Sequence, residues 1–166
     1  MKPHYTIATC LLIITLCVSP ISAMAQNHTG LTCSVLPAEV NSELFFGMNL
    51  ADVQQLLGSN FQSQSNSLTD FRLVYLQKTY LREISSIVYY FDNENNKPLY
   101  EVIINYQNEE QAQKAATHLF GNPNYKQTDW RIKMQGVPEI WSWVYKNKLV
   151  VAAKIPGSEW AEEWDK

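Results

Sequence analysis

The alternation that decides the fold lies in Leu99-Tyr100-Glu101-Val102-Ile103-Ile104-Asn105-Tyr106-Gln107. Its even-numbered side chains are all apolar or aromatic. The odd-numbered side chains between Glu101 and Asn105 include two polar residues and one apolar residue. Because successive side chains of a strand point to opposite faces, this stretch predicts a half-buried antiparallel strand. Comparable patterns predict five further strands, over 71–80, 82–92, 129–134, 140–145 and 149–155.

Two helices are predicted from capping residues and from apolar spacing. Asn49 is a good N-cap for a helix over 50–57, in which apolar residues recur at helical intervals. Asn108 caps a second helix that ends at Gly121, a residue suited to the position after a helix. The Ser-, Asn- and Gln-rich stretch 59–69 is predicted to be a loop.

The order helix-strand-strand-strand occurs twice, which indicates an internal repeat. The two helix ends also align, Leu56-Leu57-Gly58-Ser59-Asn60 with Leu119-Phe120-Gly121-Asn122-Pro123. We therefore expect an α+β fold in one domain over 45–157, made of two tandem units, 45–107 and 108–157. The units would form an antiparallel sheet with both helices on one face, leaving the other face to solvent or to a partner.

The segment Phe46-Gly47-Met48-Asn49-Leu50-Ala51-Asp52-Val53-Gln54-Gln55-Leu56-Leu57-Gly58 resembles a known helix opening. It is similar to that of the small outer-membrane assembly lipoproteins and of the β-lactamase-inhibitor-protein family. Both families share a helix-then-sheet unit, and the inhibitor family has this unit in tandem and binds an enzyme with a concave, aromatic-rich sheet face. The resemblance implies the architecture alone, and no functional residue is carried over.

Residues 1–25 are predicted to be a secretory signal peptide. Lys2 supplies the positive charge, an apolar run follows, and Ala23-Met24-Ala25 offers small residues for cleavage after Ala25. The apolar run is shorter than the roughly 20 residues of a spanning helix, so an uncleaved membrane anchor is the weaker alternative. Attachment of a lipid to a cysteine is a further alternative. A cysteine that accepts a lipid normally follows a small residue, and neither Cys10 nor Cys17 does. We expect a periplasmic protein.

The mature chain would begin with an irregular lead-in over 26–44. It keeps Cys33 as its single cysteine, so it has no internal disulfide, and Cys33 is a candidate for pairing with a second copy. Together with His28 and His118 this is too few ligands for a structural zinc site, and we predict neither a metal nor a cofactor. The net charge of −3 does not suggest a nucleic-acid partner.

The sequence contains neither a Gly-x-Ser-x-Gly nucleophile motif nor a phosphate-binding loop, and we do not predict an enzyme. A carboxylate pair for glycoside hydrolysis would assemble only in space, so its sequence signal is weak. Glu101, on the outward face of its strand, is the candidate for such a pair. The stronger interpretation of Glu101 is a solvated strand residue.

Aromatic side chains are the most informative feature of the C-terminal part of the chain. Those of the strand over 140–145 are predicted to point away from the helices, and an acidic tail over 158–166 carries two more tryptophans. This aromatic face is either a recognition surface or a core covered by the tail. The acidity of the tail favours a basic partner such as a cationic enzyme cleft. The candidate partner-binding residues are Trp141, Trp143, Tyr145, Trp160, Glu162, Glu163 and Trp164.

The leading functional hypothesis is an exported, non-catalytic protein-binding module, for example a periplasmic inhibitor or immunity protein of an envelope-acting enzyme. An envelope-assembly or structural accessory is the first alternative. A hydrolase with an unrecognised carboxylate pair is the second.

Overall fold

A seven-stranded antiparallel sheet dominates the computed structural model, which describes residues 35–64, 71–94 and 96–164. The strand order across the sheet is β1-β2-β3-β4-β7-β6-β5. In chain order the elements are α1 (Leu50–Leu57), β1 (Phe61–Ser63), β2 (Arg72–Lys78), β3 (Ile84–Asp92), β4 (Leu99–Tyr106), α2 (Glu109–Phe120), β5 (Trp130–Ile132), β6 (Ile140–Tyr145) and β7 (Lys148–Ala153).

The predicted α+β fold of two tandem helix-strand-strand-strand units is wrong. The helices are short, with 8 residues in α1 and 12 in α2, and the seven strands contain about twice as many residues as the two helices. The first half supplies a fourth strand, β1, from within the stretch predicted to be a loop. The pairing of β4 with β7 joins a first half of four strands to a second half of three, so the two halves are not matched units.

The predicted helix starts are confirmed. α1 occupies the predicted 50–57, and the Asn49 side chain accepts a hydrogen bond from the backbone N–H of Asp52 at 3.0 Å. The Asn108 side chain accepts from the backbone N–H of Gln111 at 2.9 Å. These bonds satisfy N–H groups that the first turn of a helix leaves without partners.

Both helices lie on one side of the sheet, which we call the helix face. The Phe120 ring at the end of α2 lies 6.0 Å from that of Trp130, and Gln54 of α1 donates to the Tyr75 hydroxyl at 3.4 Å. Cross-strand register places Tyr75 and Trp130 in one row of this face, with Tyr89, Val102, Val151 and Ser142 between them.

The main core lies between the helices and this face, and it includes part of the predicted lead-in. Val35, Val40 and Leu44 are buried within the core. The predicted signal peptide, His28 and Cys33 lie outside the described residues. In the part of the chain that is described, no helix has the length and hydropathy needed to cross a bilayer.

Candidate binding face

An apolar row crosses the sheet on the side away from the helices, which we call the open face. Register aligns one side chain from each of five adjacent strands, and we call this row the apolar stripe. Its four steps of about 4.8 Å each make it roughly 19 Å long. All its members except the buried Val150 are half-buried. The stripe consists of Leu76, Val88, Ile103, Val150 and Trp143.

A polar row borders the apolar stripe on one side. Asn105 lies opposite Lys148, and Lys148 lies opposite Tyr145. Tyr145 is 58% exposed, and the Lys146 ammonium lies 5.3 Å from the centre of its ring. This border is basic and open to solvent, so the apolar stripe is reachable from this side.

The C-terminal tail, residues 158–164 as described, covers the other side of the apolar stripe. Arg72 of β2 donates from Nη1 to the Glu159 carboxylate at 3.1 Å, and the Tyr100 hydroxyl donates to the same oxygen at 3.0 Å. The Arg72 guanidinium also lies 5.0 Å from the centre of the Tyr90 ring. Glu159 is thereby anchored by one charged and one neutral donor.

A β-bulge turns Tyr100 toward the tail. Tyr90 pairs with Glu101, but Phe91 pairs with Leu99, so Tyr100 is the extra residue on β4. The bulge breaks the alternation that placed Tyr100 on the core side, and its ring lies 6.5 Å from that of Tyr90 on the open face.

The structure corrects the interpretation of Glu101 as a solvated residue. Glu101 is only 5% exposed, and its carboxylate accepts a hydrogen bond from the Trp160 indole N–H. Burial raises the pKa of Glu101 from its ordinary 4.5 to about 7, opposed in part by the Trp160 bond and reinforced by the nearby Glu159. Both carboxylates near this point are therefore engaged in tail contacts.

Arg131 of β5 holds the end of the tail. Its guanidinium lies 4.1 Å from the Trp141 ring centre and 4.5 Å from that of Trp164, and its Nη2 donates to the Trp164 carbonyl at 3.0 Å. Trp141 in turn donates from Nε1 to Asp129 at 3.0 Å. The tail site, as we call it, consists of Arg72, Tyr90, Tyr100, Glu101, Arg131, Trp141 and Trp143.

The predicted partner-binding residues are distributed unequally over this face. Trp160 lies against both strand tryptophans, with ring centres 6.0 Å from Trp141 and 5.6 Å from Trp143, while Trp164 is 4% exposed. Tyr145 lies at the open border, apart from the tail contacts described. Glu162 and Glu163 are exposed on the tail. The tail therefore covers part of the aromatic face.

Sequence reasoning missed the apolar stripe and both arginines of the tail site. Leu76, Val88 and Ile103 occupy the outward phase of alternating strands, where a solvated face would carry polar side chains. Apolar side chains at outward positions indicate a binding or covered surface, but the outward positions can be identified only once the strand register is known. Arg72 and Arg131 gave no such signal, because their partners come from the distant tail.

Among the described residues, no three His, Cys, Asp or Glu side chains are grouped so that they could hold a metal ion. Comparisons with protein-family models, curated proteins and solved structures give no match. The resemblance of residues 46–58 to the inhibitor and lipoprotein families stays a prediction, as does pairing through Cys33.

Proposed function

We propose that this chain is an exported, non-catalytic protein-binding module that binds its partner with the open face of the sheet. The apolar stripe is the observation that carries the proposal. A row of half-buried aliphatic side chains ending at a tryptophan is unusual on a solvent-facing sheet, and such patches commonly mark interaction sites. A periplasmic inhibitor or immunity protein of an envelope-acting enzyme fits this description.

The charges around the apolar stripe constrain the orientation of the partner. Glu162 and Glu163 are exposed on the tail side, whereas Lys148 is exposed on the opposite border. A basic partner surface, as predicted from the acidic tail, would meet the tail side and be repelled by the lysine border. Complementary charges of this kind act mainly on the rate and specificity of association.

Replacing both Val88 and Ile103 by threonine is expected to weaken partner binding at least about tenfold, because threonine keeps the β-branched shape but removes apolar contact from the middle of the stripe. Capture of a stoichiometric partner from envelope extract, followed by titration calorimetry with that partner, measures the effect. Gln113→Thr, on the exposed side of α2, should bind as the unaltered chain does.

Binding by the double variant equal to that of the unaltered chain would overturn the assignment of the open face. Thermal unfolding of both variants accompanies the titration, since the comparison requires each to be folded.

Export predicts a mature N-terminus at Gln26. Intact-mass analysis of protein recovered from the periplasmic fraction should give the mass of residues 26–166. Ala25→Arg places a large charged side chain at the cleavage position and should leave the longer chain in the membrane fraction. Mature protein found tightly bound to the outer membrane, and not free in the periplasm, would favour the assembly accessory over the inhibitor.

A further inference from the structure

The tail is attached to the sheet mainly by side chains. The backbone N–H groups of Ser158, Ala161 and Glu163 donate to carbonyls three residues earlier in the chain. Contacts with the strands run instead through Glu159, Trp160 and the end of the tail at Trp164. The tail can therefore leave without breaking any described strand pairing, and the preceding Pro156-Gly157 pair provides a turn at which the chain can redirect.

The tail also fits its site imperfectly. Three N–H donors in these contacts are buried and have no hydrogen-bond partner, namely Nε of Arg72, Nε of Arg131 and Nε1 of Trp164. A buried donor without an acceptor weakens the docked state. Both arginines present a fork of N–H groups that a carboxylate could bind with two parallel hydrogen bonds, yet Glu159 uses only Nη1 of Arg72.

We infer that the tail site is a recognition site for an acidic-aromatic segment of the protein partner, and that the tail is its resident occupant. The segment would place one carboxylate on Arg72, a second on Arg131, and an aromatic ring against Trp141 and Trp143 where Trp160 now lies. This inference rests on the proposed function, because Trp143 joins the tail site to the apolar stripe.

Once the tail is displaced, a single partner can contact the tail site and the apolar stripe together. The partner segment satisfies the two arginine Nε donors that the tail leaves without acceptors. The released tail carries Glu159 as well as Glu162 and Glu163, and these carboxylates are then available to a basic part of the same partner. Two oppositely charged contacts would thus form together.

A fluorescent peptide with the sequence Pro156 to Trp164 serves as the probe, and the full chain is the binder. The double variant Glu159→Gln, Trp160→Ala removes the two main tail anchors and leaves the tail site intact. This variant should bind the peptide at least tenfold more tightly than the unaltered chain, whose own tail competes. Gln113→Thr, an exposed change on α2 away from the tail and its site, should bind the peptide as the unaltered chain does.

A double variant that is folded but binds the peptide no more tightly than the unaltered chain would overturn the inference. The same conclusion follows if a peptide carrying the Gln and Ala replacements binds equally well. Should the double variant fail to fold, Glu159→Gln alone decides the matter, with an expected gain of about threefold. The two experiments can fail separately. If the Val88 and Ile103 threonine variant loses partner binding but the Glu159→Gln, Trp160→Ala variant binds no peptide, the proposed function stands and this inference is refuted.

Discussion

Replacing Trp130 by alanine is expected to lower the free energy of unfolding by about 3–5 kcal/mol, the range typical of deleting a fully buried tryptophan. Trp130 has no exposed surface, its ring packs on Phe120 of α2, and its Nε1 donates to the Gly121 carbonyl at 3.0 Å. The substitution therefore removes the contact that ties the short strand β5 to the end of the helix. Urea-induced unfolding measures the change.

Two further substitutions separate packing from hydrogen bonding. Trp130→Phe keeps an aromatic ring against Phe120 but loses the indole N–H, so its effect should be intermediate. Met134→Ala, at an exposed position just beyond β5, should change the free energy of unfolding by less than about 0.5 kcal/mol. A loss below 1 kcal/mol for Trp130→Ala would show that β5 is not part of the cooperative core.

The Glu101→Gln variant is expected to be about 2–3 kcal/mol more stable than the unaltered chain at pH 8, and close to it at pH 5. Folding raises the pKa of the Glu101 carboxyl from 4.5 to about 7, so the folded state favours the neutral acid. Its contribution is complete below pH 4.5 and is lost as the pH rises through 7, a total of about 3 kcal/mol. Glutamine is neutral throughout and still offers an oxygen to the Trp160 indole.

Urea unfolding at pH 5, 6, 7 and 8 tests this dependence. Glu162→Gln makes the same chemical change at an exposed tail position and should reproduce the pH profile of the unaltered chain. If Glu101→Gln shifted stability equally at all four pH values, the cause would be packing and not the charge of the buried carboxylate.

Local structure was readable from the sequence where one short-range rule acted alone. Asn49 and Asn108 were identified as caps because capping needs only a side-chain oxygen that accepts a hydrogen bond from the first turn of the adjacent helix. Alternation located β4, since its core side is almost uniformly apolar. The predicted architecture failed because β1 lies in a Ser-, Asn- and Gln-rich stretch that shows no apolar alternation, so the first half has an additional strand that the second half lacks.

The arrangement of the open face was harder to predict, because it depends on contacts between distant residues. The tryptophans of β6 were found from their spacing, but their relation to Glu101 and Arg72 is set by the position of the tail. Glu101 was assigned to solvent because its strand phase is outward. The docked tail, whose Trp160 donates to the Glu101 carboxylate, explains why this outward side chain is buried.

The central pairing of β4 with β7 also has a consequence for the order in which the molecule folds. Tyr106 and Asn147, which are hydrogen-bonded beside this pairing, are 41 positions apart. Bringing together residues so far apart in the chain costs conformational entropy before the contact can stabilise the fold. Sheets with many such contacts therefore fold slowly. Until β7 has emerged from the ribosome, β4 exposes an unpaired apolar edge, the kind of template on which nascent chains associate with one another. A holding chaperone during synthesis would therefore benefit the first half of the chain more than the second.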